Sequence, residues 1–145
     1  MKNNTMTLLI AQVLTALVAL EHLYILWMEM FAWETAGKKT FKTMPATLFK
    51  PTKSMAANQG LYNGFLVAGL VWSFLINDVQ WAFNIRLFFL SCVAIAGIFG
   101  AFTASKRIFF VQALPALLAI LFVLCLNFIN EFLRTIFEKL FFNIL

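Results

Sequence analysis

Four long stretches of the chain are dominated by apolar residues. They run from about Thr5 to Phe31, Met55 to Ile76, Ile85 to Ala104 and Ile108 to Asn130. Each is close to the roughly 20 residues that a helix needs to cross the hydrocarbon core of a bilayer. The pattern predicts an all-α, four-helix transmembrane bundle forming a single integral membrane domain over residues 1–145. After Asn130 the pattern changes. Phe132, Leu133, Ile136, Phe137, Leu140 and Phe141 recur at helical spacing, with Glu131, Arg134, Glu138 and Lys139 in the gaps. Residues 131–145 are therefore expected to form an amphipathic helical extension, prolonging the fourth span or lying in the interface. Lys2 followed by an apolar run has the look of a signal peptide. The run is too long for one and lacks a convincing small-x-small site before Glu21, so a mature helix is expected.

Composition supports the membrane reading. The chain is 63% hydrophobic and 12% charged, with a mean hydropathy of +0.90, against about 25% charged residues in soluble domains. Its 18 Phe come without a basic patch, so nucleic acid is not an expected partner. The net charge of +5 is concentrated in the connection over residues 34–54, which carries Lys38, Lys39, Lys42, Lys50 and Lys53. With Lys106 and Arg107 this puts seven basic residues on one side, against Lys2, Arg86, Arg134 and Lys139 on the other. By the positive-inside rule the connection is cytoplasmic and both termini are extracytoplasmic. Cys92 and Cys125 lie in apolar segments and read as small core residues. With a single His, no metal site is expected.

Ionisable groups at membrane depth usually face protein or a wet cavity. The first segment carries Glu21, His22 and Glu29. At about 100° per residue, His22 and Glu29 share one face, which Gln12 and Thr15 continue. Glu21 points elsewhere, so it must meet another helix, meet another subunit, or hold a proton. His22 and Glu29 are about 10 Å apart along the axis and cannot ligate one metal. Glu29 closes the first helix at the cytoplasmic boundary, where Asn58, Gln59 and Asn63 open the second and Gln112 lies early in the fourth. Trp33 and Tyr62 suit interface level. Carboxamides supply donors and acceptors without a charge. Convergence of these groups fits a pocket for a small polar head group, and equally fits bonds that lock helices together. Ala56, Gly60, Gly64 and Ala68, and again Gly97, Ala101 and Ser105, are spaced for close helix packing. Pro115 should kink the fourth helix and free a carbonyl near Val111 or Ala113.

Three stretches, "EHLYILWMEMFAWET" (Glu21–Thr35), "MAANQGLYNGFLVAGL" (Met55–Leu70) and "VQALPALLAI" (Val111–Ile120), resemble the domain of unknown function 1304 family of small bacterial membrane proteins. The resemblance implies a four-helix protein of the bacterial cell membrane. It places Glu21, His22, Glu29, Trp33, Asn58, Gln59, Tyr62, Asn63 and Gln112 within family-like motifs. There is a fainter architectural resemblance to the MAPEG superfamily, which implies a trimer and a glutathione cofactor. The glutathione motif of that superfamily has Arg, then Ala, Asn and Glu at three-residue steps. Here Met55 stands at the Arg position and Ala56 fits, but Gln59 and Tyr62 replace Asn and Glu.

These residues leave four functions open. The first is binding of a lipophilic or amphipathic small molecule by Glu29, Trp33, Asn58, Gln59, Tyr62, Asn63 and Gln112. The second is a transferase or isomerase acting on such a molecule through Glu21, His22 or Glu29. The third is a small transporter or proton pathway, and the fourth a structural partner subunit. Membrane lipids and further copies of the chain are the expected partners.

Overall fold

The computed structural model describes the backbone of residues 2–142 and the side chains of residues 5–140. In that range the protein is all-α. The helices are α1 (Lys2–Phe31), α2 (Lys38–Thr40), α3 (Lys53–Leu75), α4 (Val79–Thr103) and α5 (Leu114–Phe142). π-turns occupy Trp33–Gly37 and Phe109–Ala113, and a 3₁₀ turn occupies Ala46–Leu48. Three segments, Thr5–Phe31, Val79–Thr103 and Phe109–Leu140, are long and apolar enough to cross a membrane. α3 matches them in length at 23 residues. Asn58, Gln59 and Asn63 in its first half lower its hydropathy, so length and composition support three spans rather than the expected four.

α1 packs against α3 and α5, and α4 packs against the same two helices. Their shared interior is built of small residues, including Ala11, Ala19, Ala94, Ala116 and Ala119, with Val18, Leu70, Leu90, Val93 and Val123. The large side chains point outward: Phe99 is 68% exposed and Phe102 87%. A water-soluble domain would not leave such an exterior uncovered. It suits lipid, where close approach of small residues drives helix association.

The glycines show how close that approach is. A Cβ at Gly60 would lie 2.7 Å from Met30 and 3.1 Å from the Leu26 carbonyl. A Cβ at Gly97 would lie 2.6 Å from the backbone nitrogen of Ala113. The small-residue ridge of α3 turns away from α1 as it climbs, because each four-residue step drifts by about 40° around the axis. Ala56 and Gly60 are thus buried, whereas Ala68 is exposed.

Several boundaries differ from expectation. α4 begins at Val79, well before Ile85, because Asp78 caps it by accepting a 2.8 Å bond from the Trp81 amide. The segment after Asn130 simply continues α5 to Phe142. Residues 143–145 and the side chain of Phe141, part of the expected amphipathic face, lie outside the described residues. Pro115 is the second residue of α5 rather than a residue inside a regular helix. It follows a π-turn, in which the Leu114 amide donates to the Phe109 carbonyl, so the ring avoids a regular preceding turn.

The basic connection is not an open loop. Trp33, Phe49 and Ala56 form a second buried cluster, with Phe41 and Met44 against it. The Trp33 indole donates a 3.0 Å bond to Thr52 Oγ1, and its ring lies 5.1 Å from that of Phe49. All five lysines project from this small core, and Lys53 meets Glu34 at 3.2 Å. That exposed pair contributes at most about 1 kcal/mol.

Candidate functional site

The polar face of α1 turns inward as its spacing predicts. Thr15 and His22 are buried, and each is satisfied by its own helix. Thr15 Oγ1 donates to the Ala11 carbonyl at 2.7 Å, and His22 Nδ1 donates to the Val18 carbonyl at 2.9 Å. Because a carbonyl can only accept, the bond fixes the proton on Nδ1. Glu29 is half-buried and accepts a 2.9 Å bond from Asn63 Nδ2, joining α1 to α3. The same Nδ2 donates to the Gln59 carbonyl at 3.2 Å. This pair sits where Gly60 and Gly64 bring the two helices together, and the seam is closed by packing rather than opened as a cavity.

The other residues singled out above are distributed around that pair. Asn58, Gln59 and Tyr62 lie on the exposed face of α3, with the Tyr62 ring 6.1 Å from that of Phe65. Trp33 is buried in the connection core. Gln112 is half-buried in the π-turn, whose main packing is with α4 and α5. The structure therefore joins Glu29 to Asn63, sets Asn58, Gln59 and Tyr62 beside them facing outward, and holds Gln112 in a turn packed mainly on α4 and α5. Among the described residues no three His, Cys, Asp or Glu approach closely enough to hold a metal, and both cysteines are free.

Glu21 stands alone. Its Oε1 is buried without a hydrogen-bond partner. A buried acceptor left unpaired destabilises by about 1–3 kcal/mol. Glu21→Met, similar in volume and without that acceptor, is expected to raise the thermal unfolding midpoint in neutral detergent. A fall instead would show that Glu21 finds its partner in an assembly of copies.

Sequence reasoning missed one concave polar site. A cavity of about 230 Å³ opens at the Asp78 end of the helices, lined by Gln12, Ser73, Arg86, Asn127 and Asn130 among apolar neighbours. By sequence, Arg86 counts only as one of the extracytoplasmic charges, at the start of the span expected from Ile85. A second, apolar hollow of about 420 Å³ lies against Ile98, Phe102, Lys106 and Phe109 at the other end. Neither is lined by Glu29, Asn58, Gln59, Tyr62, Asn63 or Gln112.

Residues 16–124 match the family described as "Protein of unknown function (DUF1304)". The chain belongs to the DUF1304 family. It is similar to the "Uncharacterized protein YpaA" of Lactococcus lactis subsp. lactis (strain IL1403), with 32% identity over 120 residues, covering 75% of this chain and 92% of that protein. No solved structure gives a significant match. The MAPEG resemblance finds no support in these comparisons, and the trimer and glutathione it implied lose that basis. The DUF1304 match spans Glu21, His22, the Glu29–Asn63 pair and Arg86 alike, so the family region holds both ends of the helix packing.

Proposed function

We propose that this DUF1304 member is a multi-pass protein of the bacterial plasma membrane that binds a lipophilic or amphipathic small molecule. Its four long helices would all span, α3 being the least apolar because it carries the binding groups. The basic connection would face the cytoplasm and both termini the outside, following the lysine asymmetry.

The observation that carries this reading is the outward polar face that opens α3. Asn58, Gln59 and Tyr62 are exposed beside the Glu29–Asn63 pair, and apolar Phe65 continues the same surface. A head group would meet the carboxamides while its tail lay along the apolar part of α3. A second copy of the chain is the natural cover for this face, since exposed carboxamides at membrane level gain from a partner.

The 2.9 Å bond between Glu29 and Asn63 favours a second reading, in which the pair only fastens α1 to α3. Native mass spectrometry of purified protein separates the two. If a ligand is held here, wild type retains a lipid-like adduct that Asn63→Leu and the double variant Asn58→Leu, Gln59→Leu both release. If the pair is a fastener, Asn63→Leu lowers the unfolding midpoint and changes no adduct.

A further inference from the structure

The cavity at the Asp78 end contains a buried cation without a counterion. Arg86 is only 8% exposed. Its Nε donates to Ser73 Oγ and its Nη2 to the Ser73 carbonyl, both at 3.3 Å, and its guanidinium lies 4.9 Å from the centre of the Phe74 ring. Ser73 Oγ itself donates to the Leu70 carbonyl at 2.7 Å, so it offers Arg86 only a lone pair. None of these partners carries a charge.

The acids of the chain are placed elsewhere. Glu29 bonds Asn63, Glu34 meets Lys53, Asp78 caps α4, and Glu131 and Glu138 face Arg134. Glu21 has a buried oxygen with no partner at all. Among the described residues, then, no carboxylate pairs with Arg86. A guanidinium does not give up its proton, and a buried charge is costly unless paired. Two of its five N–H donors are engaged by the bonds above.

We propose that this cavity is an oxyanion site, taking a carboxylate or phosphate group on Arg86 with the carboxamides of Gln12 and Asn127 beside it. Arginine pairs with such groups in a planar, two-bond geometry. The volume of about 230 Å³ suits a head group rather than a whole lipid. The apolar lining of Leu8, Phe83, Val123 and Leu126 receives the first carbons of a chain attached to it. The rim residues Asn77 and Val79 are exposed, which leaves a path for entry. This site is independent of the face proposed on α3, which lies at the opposite end of the helices.

The test is titration calorimetry on the full chain in a neutral maltoside detergent, with decanoate, decyl phosphate, decanol, acetate and inorganic phosphate as probes. Wild type is expected to bind decanoate or decyl phosphate at least about ten-fold more tightly than decanol, the neutral analogue. Binding by acetate or inorganic phosphate as well makes a free anion the source. Binding only by the decyl probes makes it an amphiphile. Asn127→Asp supplies a carboxylate within the cavity and should abolish anion binding while keeping the fold. Arg86→Gln should abolish it too. Equal affinity for decanoate and decanol in wild type, or undiminished anion binding by Asn127→Asp, overturns the proposal. Those two arms decide the matter even if Arg86→Gln does not fold.

Discussion

Trp33→Ala is expected to undo the basic connection, with a loss of about 3–5 kcal/mol from the local fold. The indole is the centre of the cluster that holds residues 33–56. It contacts Phe41 and Phe49 at ring separations of 5.5 and 5.1 Å and bonds Thr52 just before α3 begins. Gly37 packs so closely on the ring that a Cβ there would lie 2.8 Å from Trp33 Cε3. Without the ring, Phe49, Phe41 and Met44 lose the surface on which they pack. Limited trypsin digestion in detergent reads this directly, since Lys38, Lys39 and Lys42 are already on the surface and wait only for the backbone to open. Cleavage there should accelerate strongly in Trp33→Ala. Trp33→Phe keeps most of the packing and loses only the bond to Thr52, a loss of about 1 kcal/mol. If Trp33→Ala is digested no faster than wild type, the connection is held by something other than this cluster.

The second large effect is at Gly97. A methyl group there meets the backbone nitrogen and Cα of Ala113 at 2.6 and 3.0 Å, and backbone inside a packed helix pair cannot step aside as a side chain can. Gly97→Val should therefore destabilise by about 1–3 kcal/mol or more through overpacking. Gly100 provides the contrast. Its added Cβ would meet side-chain atoms of half-buried Ile108, the nearest being Cγ2 at 3.0 Å, and no backbone atom is among its nearest neighbours. Gly100→Ala should cost clearly less than Gly97→Val. Thermal unfolding of both variants in one detergent tests the ordering, and a Gly100→Ala protein less stable than Gly97→Val would contradict this picture of the seam between α4 and residues 108–113.

The sequence made some of this legible and hid the rest for physical reasons. The inward face of α1 could be read because Gln12, Thr15, His22 and Glu29 obey one uninterrupted helical period. The meeting of Glu29 with Asn63 followed from depth, since one residue ends a helix where the other begins the next. The neighbours of Gln112, in a turn packed mainly on α4 and α5, could not be read in the same way. Depth depends on the count of residues from a boundary, whereas the side depends on unbroken periodicity, and the π-turn at Phe109–Ala113 breaks it. The start of α4 was hidden by polarity: Asp78, Gln80 and Asn84 suggest a loop ending near Ile85, which sets Arg86 at a span boundary, although Asp78 accepting from the Trp81 amide is an N-cap that begins the helix at Val79. The three-span count follows from the same effect, because Asn58, Gln59 and Asn63 depress the hydropathy of α3 below that of its neighbours.

The π-turns bear on how this chain can change length. A wide turn already holds one residue more than an ordinary turn needs. Loss of a single amino acid at Phe109–Ala113 could be absorbed by tightening to a regular turn, leaving everything beyond it facing as before. The same loss in the middle of α4 would swing all later side chains about 100° around the axis, bringing phenylalanines to the interior and alanines to the lipid. Single-residue deletions are therefore expected to be tolerated better at the two wide turns than along the regular helices between them.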